Sequence, residues 1–69
     1  MNWIDVQSTN IARMAYDETN RILKIEFQNG SLYDYFDIPD VVFDGIRNSP
    51  SKGQYLAQQI KGHYRYARV

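Results

Sequence analysis

The sequence predicts an α+β domain: a three-stranded antiparallel β-meander packed against two short helices, with an extended C-terminal tail. Three observations predict it. Apolar and polar residues alternate along Arg21-Ile22-Leu23-Lys24-Ile25-Glu26-Phe27, the period of a strand with one buried face. Asn29-Gly30 follows at once, the strongest short hairpin signal a sequence can carry. After Pro39 the spacing changes, and Val42, Phe43 and Ile46 recur at helical intervals. Strands first and helices after them argue for α+β.

The elements follow in order. Ile11 to Tyr16 is a short apolar-rich run and reads as the first strand. Asp17-Glu18-Thr19-Asn20 reads as a turn, since Asp and Asn bond to their own backbone and tolerate positive φ. Arg21 to Phe27 is the second strand, with Leu23, Ile25 and Phe27 on one face and Lys24 and Glu26 on the other. Asn29-Gly30 implies a type I′ turn, with positive φ at both residues. Ser31 to Ile38 pairs back as the third strand, and Leu32 and Phe36 compete with Tyr33 and Tyr35 for its inner face. Pro39 stops the strand and suits the first position of a helix, where Asp37 and Asp40 favour the dipole. Asn48-Ser49-Pro50 breaks that helix. Ser51 with Gln54 three residues on reads as a capping box for a second helix, which Leu56 and Ile60 bury and Gly62 ends. His63 to Val69 alternates, which fits a tail lying along the body or an added edge strand.

Composition removes whole classes of function. The 69 residues hold no cysteine and one histidine, so there is no disulfide, thiolate nucleophile, cysteine zinc site or histidine-rich metal site. No metal or other cofactor is expected. No apolar run is long enough to span a membrane. The first residues lack a basic and an apolar region, so no secretory signal is read and a cytoplasmic location is expected. Residues 1–69 make a single domain, and a chain so short buries only ~60% of the surface its unfolded form exposes. Its ten aromatics can each bury ~150–250 Å². Self-association is the other way to enlarge a small core, so a homo-oligomer is expected. Formal net charge is zero, yet residues 1–44 hold all eight acids and three bases, whereas residues 45–69 hold five bases and no acid. That asymmetry fits either a compact anion site or attraction between the halves.

Four groups of residues could carry chemistry. Tyr33 and Tyr35 lie two apart on a strand, hence on one face, where phenol rings could stack bases or form core with hydroxyls at the rim. Ser49, Ser51, Lys52 and Gly53 open a helix, and a cation in the first turn opposes the dipole unless a phosphate is present. Ser49-x-x-Lys52 also matches an acyl-enzyme signature, whose partner motifs the chain lacks. Lys61-Gly62-His63-Tyr64-Arg65-Tyr66-Ala67-Arg68 interleaves bases and aromatics, which fits either a phosphate-plus-stacking surface or a solvated tail whose tyrosines pack on the sheet. Asp34, Asp37, Asp40 and Asp44 are explained better by helix-terminus electrostatics than by magnesium.

Four stretches together resemble the KTSC domain, a family named for the C-terminal domain of some lysyl-tRNA synthetases. They are Val6-x-Ser8-x-Asn10-Ile11, Tyr16-Asp17, Gly30-x-x-Tyr33-x-Tyr35-Phe36-x-x-Pro39, and Ser51-Lys52-Gly53-x-Tyr55 with Ile60-x-Gly62-x-Tyr64. The resemblance covers residues 6–69 and implies a small α+β module without known catalysis, associated with RNA. It is similar to the stand-alone versions of bacteria and their phages. The leading expectation is thus a non-catalytic binder of a nucleotide or short single-stranded nucleic acid, which in a phage could sequester a signalling nucleotide. Ser49, Ser51, Lys52, Gly53, Lys61, His63 and Arg65 would hold phosphate, and Tyr33, Tyr35, Tyr55 and Tyr64 would supply rings or hydroxyls. A second expectation is a protein-interaction or self-pairing module using Trp3 and an exposed strand edge. A third is a phosphodiesterase using His63, ranked last because no metal cluster supports it.

Overall fold

A computed structural model describes residues 2–69. The sheet has five antiparallel strands, not three, in the order β1-β2-β3-β4-β5. They are β1 (Trp3–Asp5), β2 (Ile11–Asp17), β3 (Ile22–Phe27), β4 (Leu32–Tyr35) and β5 (Tyr66–Arg68). The expected meander is its centre. The two additions are three-residue edge strands: β1, too short to show a period in sequence, pairs with β2, and the C-terminal tail takes the edge-strand alternative and pairs with β4. The helical layer lies between β4 and β5 in the chain. It comprises α1 (Asp40–Asn48) and α2 (Lys52–Tyr55), with α2 running on into a wider π turn, Leu56–Ile60. The Lys61 N–H closes that turn on the Leu56 carbonyl at 2.7 Å.

The core explains the pattern. Leu23 and Ile25 point inward from β3, facing Tyr16 and Met14 on β2 and Tyr35 and Tyr33 on β4. Ile46 of α1 and Leu56 and Ile60 of the π turn close this layer, and all are buried. Leu56 and Ile60 are four residues apart, as expected of a helix face; the wider turn still buries both. The opposite sheet face carries ion pairs, Arg13 with Glu26 at 2.6 Å and Lys24 with Asp34 at 3.0 Å. There Arg13 also lies 4.4 Å over the half-buried Trp3 ring, and Ala15 is buried beside Trp3's strand.

Three local details depart from expectation. At the second hairpin only Gly30 has positive φ (+89°), so the turn is not type I′. Instead the Gly30 N–H bonds the Phe27 carbonyl and the Phe27 N–H bonds the Ser31 carbonyl, both at 2.9 Å. That is a three-residue loop with its left-handed residue at glycine, and Asn29 is free to turn its side-chain oxygen onto the Ser31 N–H and hydroxyl. At the first hairpin the left-handed position falls on Arg21 (φ 56°), because Asp17 already holds Asn20 by two hydrogen bonds. Those bonds lower the Asp17 pKa from its ordinary value. Pro39 is the residue before α1, not its first residue, and its carbonyl takes the Val42 and Phe43 N–H groups.

Tyr16 ties the sheet to α1. Its hydroxyl donates to the Ile38 carbonyl at 2.6 Å and its ring stacks on Phe43 at 4.6 Å. Tyr16→Phe keeps the stack and removes the bond. It is expected to cost ~1 kcal/mol, seen as a fall of ~4–8 °C in thermal unfolding.

Candidate functional site

β4 and β5 build the site. Tyr33 and Tyr35 alternate with the outward Leu32 and Asp34, so both rings stand on the helix-side face; this decides the face left open by the sequence. β5 runs antiparallel to β4 with Tyr66 opposite Tyr35 and Arg68 opposite Tyr33, which puts Tyr66 and Arg68 on that same face. The result is a cluster of three phenols. Tyr33 and Tyr35 are 6.4 Å apart with planes 22° from parallel, and Tyr66 lies 5.8 Å from each. Phe27 meets Tyr33 edge-on at 5.4 Å.

These four rings line a cleft of about 490 Å³, together with Lys61 and Gly62 from the end of the π turn. Gly62 has φ +84°, the left-handed conformation of a residue that ends a helix, as its sequence position implied. Asn29 and Ser31 add a polar wall. Burial is graded across the rings: Tyr35 is 2% exposed and Tyr66 60%. The Tyr35 hydroxyl has no protein partner, and no buried side-chain oxygen among the described residues is left unpaired. The hydroxyl is therefore the part of Tyr35 that reaches the cleft. Burial, then the neighbouring Tyr33 and Tyr66, raise its pKa above 10.0, so at neutral pH it is an O–H donor. Because the folded pKa is raised, this group's contribution to stability is complete below pH 10.0 and is lost as the pH rises through the raised pKa.

Among the described residues no acid lines the cleft. Of the five bases after residue 44, Arg47 pairs with Asp44 and Arg65 with Asp37, while Lys52 donates to the Ser49 carbonyl. Lys61 and Arg68 make no ion pair among the described residues. Part of the charge asymmetry is thus taken up by ion pairs with acids of the first half, and Lys61 lines the tyrosine cleft.

A second cleft of about 380 Å³ adjoins the first and shares Phe27, Asn29 and Lys61 with it. Its other walls are Thr9, Asn10 and Gln28. The loop that carries Thr9 and Asn10 is shaped by Ser8, whose hydroxyl accepts the Asn10 and Ile11 N–H groups.

The structure separates the remaining predicted residues from this site. The Ser49 hydroxyl donates to the Ser51 carbonyl and accepts the Ser51 N–H, and the Ser51 hydroxyl accepts the Gln54 N–H at 3.4 Å, so both hydroxyls serve the start of α2. Lys52 folds back onto the Ser49 carbonyl at 3.2 Å. Gly53 abuts the Ser8 loop, where an added Cβ would make ordinary contact at 3.5 Å. Tyr55 packs its hydroxyl end against Gly45, and Tyr64 is half-buried against the core. Exposed Arg65 bonds Asp37 at 3.1 Å and lies over Phe36. Exposed His63 lines neither cleft. The acidic set is dispersed: Asp34, Asp37 and Asp44 each face a base, and no three metal-ligating side chains gather among the described residues. Trp3 lies on the outer face, on the strand farthest from β5. Sequence reasoning missed Asn29 as a site residue, and it placed Tyr66 and Arg68 in the basic-aromatic tail without picking them out as site residues. The alternation of the tail carried these two, but only the register with β4 shows which ring joins Tyr33 and Tyr35.

Comparison with known proteins places this geometry. The family model of the KTSC domain matches residues 7–64. The chain belongs to the KTSC family. A crystal structure of a KTSC domain protein from Yersinia pestis superposes with a TM-score of 0.92 at 29% identity, covering 99% of this chain and 96% of that one. A protein of Stutzerimonas stutzeri is 34% identical over 70 residues, 100% of this chain and 99% of its own. A lysine–tRNA ligase of Nostoc is 43% identical over 54 residues, 78% of this chain and 10% of the ligase. The chain thus spans about a tenth of the ligases it matches. The family match ends at Tyr64, so Tyr66, which completes this KTSC domain's cleft, lies beyond it. No helix among the described residues is long and apolar enough to cross a membrane.

Proposed function

We propose that this KTSC domain is a non-catalytic binding module for a phosphate-bearing aromatic ligand, a nucleotide or a short single-stranded nucleic acid, held in the tyrosine cleft. One observation carries the reading: three tyrosine rings and an ion-pair-free lysine line one cleft that contains no acid. Tyr66 and Tyr33 offer a stacking surface, worth ~1–3 kcal/mol per base, and Lys61 offers a point charge for phosphate. Arg68, opposite Tyr33, extends the positive edge. The Tyr35 hydroxyl and Asn29 add neutral donors. A zero net charge favours a compact ligand over a long polyanion, whose binding draws on a broad basic field. The likeness to lysine–tRNA ligases supports an RNA-handling origin and a cytoplasmic setting. In a phage, the same cleft would serve to sequester a signalling nucleotide.

A panel of mononucleotides, cyclic nucleotides, tRNA and single-stranded RNA and DNA, read by thermal unfolding at two salt concentrations, tests this. A ligand at 100 times its dissociation constant adds ~2.7 kcal/mol, a rise of ~10–20 °C. Lys61→Ala and Tyr66→Ala are expected to reduce that rise and leave the unliganded midpoint within ~2 °C, since both residues are exposed. Lys52→Ala is expected to change binding little. No shift with any ligand would overturn the reading. It would favour self-association through the open edges of β1 and β5, three residues each, visible as a dimer in sedimentation.

A further inference from the structure

The two clefts are chemically unlike and meet at one cation. The larger is aromatic. The smaller holds a single ring, Phe27, which it shares, and is otherwise walled by hydroxyl and amide groups. Two of those amides are already turned. Gln28 donates its side-chain N–H groups to the Ser8 carbonyl at 3.2 Å and the Ile11 carbonyl at 3.3 Å, so its oxygen is left as an acceptor. Asn29 accepts the Ser31 N–H and hydroxyl on its oxygen at 3.0 and 2.6 Å, so its NH₂ is left as a donor. Thr9 and Asn10 have no side-chain partner among the described residues. Away from Lys61 the smaller cleft therefore offers neutral acceptors and donors, those of Gln28 and Asn29 already oriented, which suits the polar edge of a base or a ribose.

Resting on the binding reading above, we infer that the ligand carries two nucleosides joined by a phosphodiester. One base stacks on Tyr66 beside Tyr33, within reach of the Tyr35 hydroxyl. The bridging phosphate lies on Lys61, the only charged residue lining both clefts. The second nucleoside occupies the smaller cleft against Thr9, Asn10 and Gln28. Each cleft, at about 490 and 380 Å³, is of the size that takes a small ligand by itself. A mononucleotide fills one and leaves the oriented amides of the other unused.

The test is calorimetric titration of the whole chain with AMP, the linear dinucleotide pApA and cyclic di-AMP. At least one dinucleotide is expected to bind tenfold or more tightly than AMP. Asn10→Ala and Thr9→Val are expected to weaken that dinucleotide fivefold or more and leave AMP unchanged, while Lys61→Ala weakens both. Preference for pApA or for cyclic di-AMP tells a strand from a cyclic messenger. AMP binding within twofold of both dinucleotides would overturn the inference and leave the binding reading standing; so would Asn10→Ala and Thr9→Val variants that bind every probe like the parent. Binding of none of the three overturns the inference, and the wider panel then decides the reading on which it rests.

Discussion

Ile25→Ala is expected to cost ~2–5 kcal/mol and to leave this domain barely folded at room temperature. Ile25 lies in the middle of β3, fully buried, with Met14 and Tyr33 beside it on the neighbouring strands. Alanine there removes three carbons and opens a cavity that the two-layer packing closes only in part. A domain this small has a total stability of only ~3–10 kcal/mol, so one such loss is a large fraction of the whole. Ile25→Val removes a single methyl group and is expected to cost ~0.5–1.5 kcal/mol. Urea unfolding of the two variants beside Tyr66→Ala measures the contrast. If Ile25→Ala unfolds at the same urea concentration as the parent, the core is not where the structure puts it. Tyr66, 60% exposed, should barely move the midpoint while weakening ligand. Fold and site then separate by variant.

The parts of the fold legible in sequence are those with a period. β3 alternates over six residues and the buried set Leu23 and Ile25 follows directly. β1 is three residues long, and no period can be read from three. The tail alternates over His63 to Val69, but whether it pairs depends on β4, which it reaches only after the whole helical layer has intervened. The site inherits that difficulty. Tyr33 and Tyr35 could be read as a same-face pair, but Tyr66 joins them through register, and Tyr64, two residues earlier, packs on the core instead. At the helix start the sequence shows donors and acceptors but not their partners. Ser49, Ser51 and Lys52 each hydrogen-bond the backbone at the start of a four-residue helix, away from the cleft. Charge asymmetry becomes specific only with the partners in view. Arg47 and Arg65 pair with acids of the first half, and Lys61 lines the cleft.

Gly45→Ala reverses the usual helix rule. Gly45 lies inside α1 with ordinary helical φ, where alanine should be better by ~1 kcal/mol. Yet a Cβ built there falls 2.7 Å from Cζ of Tyr55 and 3.1 Å from its Cε2, well inside contact distance. The glycine is thus a flat surface on α1 against which the Tyr55 ring lies, and it sets how closely α1 and α2 approach. The ring has only two side-chain torsions and packs against the buried core, so relief requires an off-rotamer ring or a shift of α2. Overpacking of this kind costs ~1–3 kcal/mol, which outweighs the gain in propensity. Gly45→Ala is therefore expected to destabilise, lowering the thermal midpoint by several degrees. In a Tyr55→Ala background the overlap is gone, and the same substitution is expected to stabilise by up to ~1 kcal/mol. The opposite signs in the two backgrounds form a double-mutant cycle whose coupling reports the contact itself. If Gly45→Ala stabilises the parent as it does the Tyr55→Ala variant, the two helices are not as close as the structure places them. Because α2 leads into the π turn that presents Lys61, a shift of α2 should also weaken ligand, whereas Ile25→Val, at comparable cost in stability, should not.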